Sequence, residues 1–229
     1  MFYMREIFEK FNISITNEQL NLFDKYYQLL VEYNEKFNIT TIIEKQEVYK
    51  KHFVDSILGL EEFCGKTLID VGSGGGFPAI PIKIMKDDLD VTLLEATGKK
   101  CTFLNAVIDG LQLKNIKVIN ARAEDLAKNP NFREKFSLCS ARAVARLNTL
   151  CEYCLPFVEI GGKFISYKAN AEDEIIEAKN AIKTLGGKIN KVKNYNLEDA
   201  MRTLIVIDKI SSTDKKYPRG NGKERKNPL

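Results

Sequence analysis

A chain of 229 residues with 44% hydrophobic content can bury one sizeable core and a small appendage, the profile of an ordinary globular protein. The opening "MFYMREIFEKF" mixes charges into its apolar residues and lacks the order of a signal peptide, and no stretch approaches a membrane-spanning length, so a cytoplasmic, non-membrane protein is expected. Net charge is only +4, but residues 209–229 carry seven basic side chains against Asp214 and Glu224, leaving that segment at +5 and the remainder at −1.

Residues 1–65 have a helical pattern. "NEQLNLFDKYYQLLVEYNEKF" places Leu20, Phe23, Tyr27, Leu30 and Val31 at helical spacing behind Asn17 as the expected cap, and "EVYKKHFVDSILGLEEF" repeats the habit. The sole histidine, His52, falls here, and a packing or lid role is expected of it rather than catalysis.

From Lys66 to residue 210, short apolar runs alternate with helical stretches: "TLIDVG" then "FPAIPIKIM", "DVTLLEA" then "KKCTFLNAVIDGL", "IKVINA" then a loop, "FSLCSARA" then "LNTLCEYCLPFV", "GGKFISYKA" then "EDEIIEAKNAIKTLG". Such alternation calls for a parallel sheet covered on both faces. "KINKVKNYNL" and "RTLIVIDKI" follow each other without a helix, which predicts a closing antiparallel hairpin. Residues 211–229 form a basic tail, either an arm for a polyanion or a solvated terminus.

The glycine run Gly72, Gly74, Gly75, Gly76 follows the first strand and precedes a helix, the place where open α/β sheets bind ligands. Phe77 stands where a dinucleotide fingerprint needs glycine, and no Lys-Ser/Thr follows as a P-loop would require. The remaining G-x-G-x-G suits a ligand carrying an amino-acid chain. Asp70 is placed to accept from its ammonium group, and Glu95 at the end of the second strand is placed for ribose hydroxyls. Ala123-Glu124 after the third strand would lie beside an adenine. In this order and spacing the three elements indicate S-adenosylmethionine and a class I S-adenosylmethionine-dependent methyltransferase fold, Rossmann-like, with an N-terminal helical extension.

No Pro-Pro-aromatic motif follows the fourth strand, as amine methylation would favour. Cys139, Cys151 and Cys154 lie in expected core positions, so a cysteine nucleophile is disfavoured, and five scattered cysteines suggest reduced thiols without a metal site. What the fourth and fifth strands deliver is cationic: Arg142, Arg146 and Lys168. These would suit an anionic substrate, or a ring nitrogen such as guanine N7 that needs no base. An ion pair of Arg142 with Glu124 or Asp125 is the structural alternative.

"LIDVGSGGGFPAIPIKI", "VTLLEATGKKCTFLNAV", "INARAED", "SARAVARLNTLCEYCLPFVEIGGKFISYKA" and "KKYPRGNGKERKNPL" together resemble the bacterial small-subunit rRNA guanine-N7 methyltransferase family, also called glucose-inhibited division protein B. The likeness extends upstream to "YNEKFNITTI" and "HFVDSI", so it covers nearly the whole chain. The resemblance implies methyl transfer from S-adenosylmethionine to N7 of one guanine in the decoding-region loop of 16S rRNA, with the small ribosomal subunit as partner and no metal. Gly72 and Phe77 match contacts to the methionine end, Glu95, Ala96 and Thr97 the ribose segment, Ala123 and Glu124 the adenine side, and Arg142 the arginine beside the cofactor near the acceptor pocket. Arg142 and Lys168 would position the acceptor, and Arg146, Lys168, Arg202 and Arg219 are the expected RNA contacts. Monomer is the default expectation. Competing readings are a methyltransferase for another RNA or a small molecule, and a noncatalytic ribosome-binding protein.

Overall fold

A computed structural model describes residues 2–229. The chain starts with α1 (Phe2–Glu9) and α2 (Asn17–Phe37). A capping box starts α2: Thr16 Oγ1 accepts the Gln19 amide at 3.1 Å while Gln19 Oε1 accepts the Thr16 amide at 3.0 Å. The cap is therefore Thr16 and not Asn17, whose side chain instead accepts from Arg5 at 2.7 Å. The buried stripe of α2 is Leu20, Phe23, Tyr26 and Leu30. Tyr26 takes the inward position expected of Tyr27, and Val31 is only half-buried.

Helical conformation then continues through α3 (Lys45–Val48), a π-helical stretch Tyr49–Val54 and α4 (Asp55–Ile57). The sheet follows with β1 (Thr67–Val71), α5 (Ala79–Met85), β2 (Asp90–Glu95), α6 (Gly98–Leu111), β3 (Ile116–Asn120), α7 (Ala123–Leu126), β4 (Phe136–Arg142), α8 (Leu147–Cys154) and β5 (Val158–Lys168). The chain ends with α9 (Glu172–Glu177), α10 (Lys179–Thr184), β6 (Gly187–Leu197), β7 (Ala200–Lys209) and α11 (Lys223–Lys226). A short helix, α7, replaces the loop expected after β3, and the helix expected after β5 divides at Ala178.

The strand order is β3-β2-β1-β4-β5-β7-β6, parallel from β3 to β5, with β7 antiparallel to both β5 and β6. The expected hairpin is present. The chain runs outward from β1 through β2 to β3 and then crosses back to β4 on the other side of β1, so the carboxyl ends of β1 and β4 form the crevice of a doubly wound sheet. Two buried apolar layers cover the faces. Phe8, Phe23, Tyr26 and Phe53 of the N-terminal helices share one layer with Ile80, Phe103 and Leu104, so the extension and the sheet domain have a common core. The other layer contains Leu150, Cys151, Leu155, Ile182 and, from the tail, Tyr217.

The tail is thus folded against the sheet domain, and part of its charge is internal. Lys209 is 1% exposed, with Nζ donating to the Leu155 carbonyl at 2.8 Å and to Thr213 Oγ1 at 2.5 Å, 3.1 Å from Glu134. Burial lowers its pKa to about 8 against the pull of Glu134. Lys209 therefore leaves the set of charges available to a polyanion. Cys101, Cys139, Cys151 and Cys154 are buried free thiols, and burial pushes Cys151 and Cys154 well above the ordinary thiol range, which makes both poor nucleophiles.

Candidate active site

The glycine loop leaves β1 and is tied at once to the end of β2. The amides of Gly72 and Ser73 donate to the Leu94 carbonyl at 2.8 and 3.1 Å. Gly72 has φ +71°, and a Cβ there would lie 2.6 Å from Val144 Cγ2, so the position needs glycine on both counts. Gly76, at φ +87°, would meet the Tyr26 hydroxyl at 2.5 Å. That hydroxyl donates to the Gly75 carbonyl, so the N-terminal extension grips the loop from behind.

Glu95 braces the other side. Its Oε2 accepts the Gly74 amide at 2.9 Å and its Oε1 the Thr97 amide at 2.8 Å, just ahead of α6. The carboxylate therefore orders the loop and the helix start together, with each oxygen keeping a lone pair. It faces a cavity of about 290 Å³ lined by Gly72, Glu95, Ala96, Thr97, Ala123 and Glu124, with Lys100, Arg122, Ala143, Val144, Tyr153 and Arg225 among its other lining residues. Asp70, Gly74, Gly76 and Phe77 do not line this cavity. Asp70 lies beneath the loop, 1% exposed, where Oδ1 accepts from Ser140 Oγ at 2.6 Å and Oδ2 has no partner among the described residues. Burial raises its pKa to about 7 despite the hydroxyl bonds.

A second cavity, about 500 Å³, opens on the other side of Ala143, the one residue among those described that lines both. Ala143 has φ +57°, and this turn at the end of β4 sends Arg142 into the second cavity and Val144 into the first. Arg142 is held by three groups of the π-helical stretch and α4. Nη1 donates to Asp55 Oδ2 at 3.1 Å and to the Lys51 carbonyl at 3.3 Å, while Nη2 lies 3.3 Å from His52 Nδ1. Its guanidinium also lies over the Phe77 ring, 5.1 Å from the centroid, and His52 stacks on the same ring at 4.5 Å. The expected alternative partners, Glu124 and Asp125, are not those of Arg142, because Asp55 reaches it from the N-terminal extension.

An arginine can only donate, so its contact favours the tautomer in which His52 Nδ1 accepts and Nε2–H donates to Thr40 Oγ1 at 2.9 Å, whereas the Lys51 carbonyl, 3.2 Å from Nδ1, favours the opposite one. Burial, reinforced by Arg142, lowers the His52 pKa to about 4, keeping the ring neutral. Asp55 is also faced by the Tyr195 hydroxyl at 3.1 Å and Arg202 Nε at 3.5 Å.

The expected RNA contacts are all engaged with acids. Exposed Arg146 pairs with Glu177, 2.6 Å from Nη2. Lys168 donates to the Ala145 carbonyl at 2.5 Å and pairs with Glu174 at 2.7 Å at the rim of the second cavity, and Arg202 lines the same cavity. Arg219 stands apart from them: Nε and Nη2 bind Glu152, 1% exposed, at 3.0 and 2.8 Å, so it anchors the tail to α8. Asp55, Lys51 and Tyr195 were missed by sequence reasoning. The three-residue step from His52 to Asp55 in "HFVDSI" was the available signal, since that spacing puts both on one helical face. Among the described residues no cluster of His, Cys, Asp and Glu could hold a metal, and no helix is long and apolar enough to cross a membrane.

The sequence model of a family described as rRNA small subunit methyltransferase G (GidB) matches residues 19–205. The chain belongs to the GidB family. GidB relatives named ribosomal RNA small subunit methyltransferase G include one from Lactobacillus johnsonii, 46% identical over 228 residues, covering 96% of this chain and 95% of the relative. A second, from Clostridium beijerinckii, is 47% identical over 227 residues with 96% and 95% coverage. The GidB chain also superposes on the crystal structure of M. jannaschii TYW2 in complex with AdoMet, with TM-score 0.54 and 14% identity, over 68% of this chain and 77% of that one. At that identity the likeness concerns the fold.

Proposed function

We propose that the protein is a cytoplasmic, monomeric enzyme that transfers the methyl group of S-adenosylmethionine to N7 of a guanine in the decoding-region loop of 16S rRNA. The observation that carries this reading is the pair of cavities meeting at Ala143, one walled by the glycine loop and Glu95, the other by cations and tyrosines. The first fits the cofactor: Glu95 and the Gly72 backbone face into it, Gly72 packing so close to Val144 that no Cβ fits, and beneath the loop Asp70 keeps a buried carboxylate oxygen with no partner among the described residues.

When bound, S-adenosylmethionine supplies an electrophilic methyl group, and its transfer forms an N7–C bond as the S–C bond breaks. In this reading Gly72 and its loop receive the methionine end, with Asp70 acting from below. Glu95, Ala96 and Thr97 hold the ribose, and Ala123 and Glu124 flank the adenine. Guanine N7 carries a free lone pair, so no residue has to remove a proton, and proximity and alignment carry the catalysis. Phe77 supports His52 and Arg142 at the second cavity by packing against both, and Arg142 and Lys168 position the base. Lys51, Arg146 and Arg202 face RNA around the second cavity, which a splayed guanine would enter.

The test is methyl transfer from labelled S-adenosylmethionine to small-subunit RNA taken from cells lacking this protein, followed by mapping of the modified base. The expected product is 7-methylguanine at a single position. Absence of incorporation, or a different methylated base, overturns the reading.

A further inference from the structure

We propose that the C-terminal turn belongs to the cofactor site, with Arg225 binding the adenine ring of S-adenosylmethionine. The proposal rests on the methyltransferase reading above. By charge alone this segment reads as an arm for RNA, but its contacts fix it along α8. The carbonyl of Glu224 accepts Thr149 Oγ1 at 2.9 Å, and the buried Glu224 carboxylate takes the Gly220 amide, closing the turn on itself. Arg219 grips Glu152, and Arg133 donates to the carbonyls of Thr213 and Tyr217 at 2.7 and 2.8 Å. A segment pinned at these points delivers its next exposed residue to a defined place.

That residue is Arg225. It lines the 290 Å³ cavity together with Tyr153 of α8, a residue 6% exposed. Tyr153 belongs to α8, which packs against both α7 (Ala123–Leu126) and α11 (Lys223–Lys226), and this sets the pair on the Ala123-Glu124 side of the cavity. This is the side assigned to adenine. A guanidinium is planar and weakly hydrated and stacks on a purine face, whereas an ammonium in the same place offers only charge. The neighbouring Lys226 is exposed and does not line the cavity, so it serves as an internal control.

The experiment is calorimetric binding of S-adenosylhomocysteine to wild type, Arg225→Ala, Arg225→Lys and Lys226→Ala, with an unfolding temperature for each. Arg225→Ala should weaken binding roughly fivefold, the scale of an exposed cation–π contact. Arg225→Lys should recover little of it, and Lys226→Ala should match wild type. Methylthioadenosine, which lacks the amino-acid end, should lose the same factor with Arg225→Ala, because the contact is to the base. All variants should melt with wild type, since Arg225 and Lys226 are on the surface. Equal affinity for wild type and Arg225→Ala overturns the proposal. So does a variant that keeps cofactor affinity but binds small-subunit RNA more weakly, which would make Arg225 a phosphate contact. If wild type itself fails to bind, the methyltransferase reading falls instead.

Discussion

The two cavities on either side of Ala143 are built in opposite ways. The glycine-loop cavity takes most of its wall from consecutive turns at the carboxyl ends of β1, β2 and β3, each following its strand within a few residues. The second cavity gathers Lys51, His52 and Asp55 from the N-terminal extension, Arg142 and Lys168 from two strand ends, and Tyr195 and Arg202 from the closing hairpin. Local backbone geometry therefore sets the first, and long-range packing of charged side chains sets the second. The first should be sensitive to backbone changes and the second to charge deletion.

The largest effect expected from this contrast is at Arg142. Its pair with Asp55 is almost entirely buried, so Arg142→Ala strands a carboxylate and should cost about 3 kcal/mol of stability in chemical denaturation. That is the low end for a buried pair, because Arg202 and Tyr195 still face Asp55. A loss below about 1 kcal/mol, the range of a surface pair, would mean that the second cavity does not depend on this charge.

The two sides should next differ in their response to pH. Burial raises Asp70 to about 7, so its stabilising contribution is complete below about pH 4 and is lost as pH rises through 7. His52 is lowered from 6.5 to about 4, so its contribution is complete above 6.5 and is lost as pH falls through 4. Between pH 4 and 6.5 the slopes oppose each other, each at most about 1.4 kcal/mol per pH unit. Asp70→Asn should leave stability rising with pH in this window, and His52→Gln should leave it falling. Parallel stability profiles for the two variants would remove the contrast.

Gly72→Ala tests the backbone side. The left-handed conformation and the contact with Val144 should weaken S-adenosylhomocysteine binding by roughly tenfold in calorimetry, the cost of forcing an L-residue into that region. Affinity within twofold of wild type would show that the loop adapts. The smallest effect is expected at Arg146, whose exposed pair with Glu177 should contribute less than about 1 kcal/mol to stability. Arg146→Ala should therefore melt like wild type, and if Arg146 meets phosphate the change should appear in RNA affinity and its salt dependence.

Much of the fold could be read from the chain because its signals are local. The period change near Lys66, the absence of a helix between "KINKVKNYNL" and "RTLIVIDKI", and glycines directly behind an apolar strand each act over a few residues. The missed details depend on which side chain wins a shared site. Thr16 displaced Asn17 as the cap of α2 because Gln19 stands three residues on to reciprocate, and Tyr26 turned inward where it could reach Gly75. Asp55 won Arg142 over Glu124 and Asp125 although it is the most distant of them in sequence.

By itself the sequence determined the order of strands and helices, the loop that needs glycine and the acid at the end of β2. All are consequences of backbone sterics and of periodicities no longer than a helical turn. Tertiary structure alone decided that the N-terminal extension supplies the acceptors for Arg142 and that the basic tail is anchored beside the glycine-loop cavity. A buried charge settles beside whichever opposite charge or carbonyl the packed fold brings within 3 to 4 Å, because desolvation makes any unpaired arrangement costly.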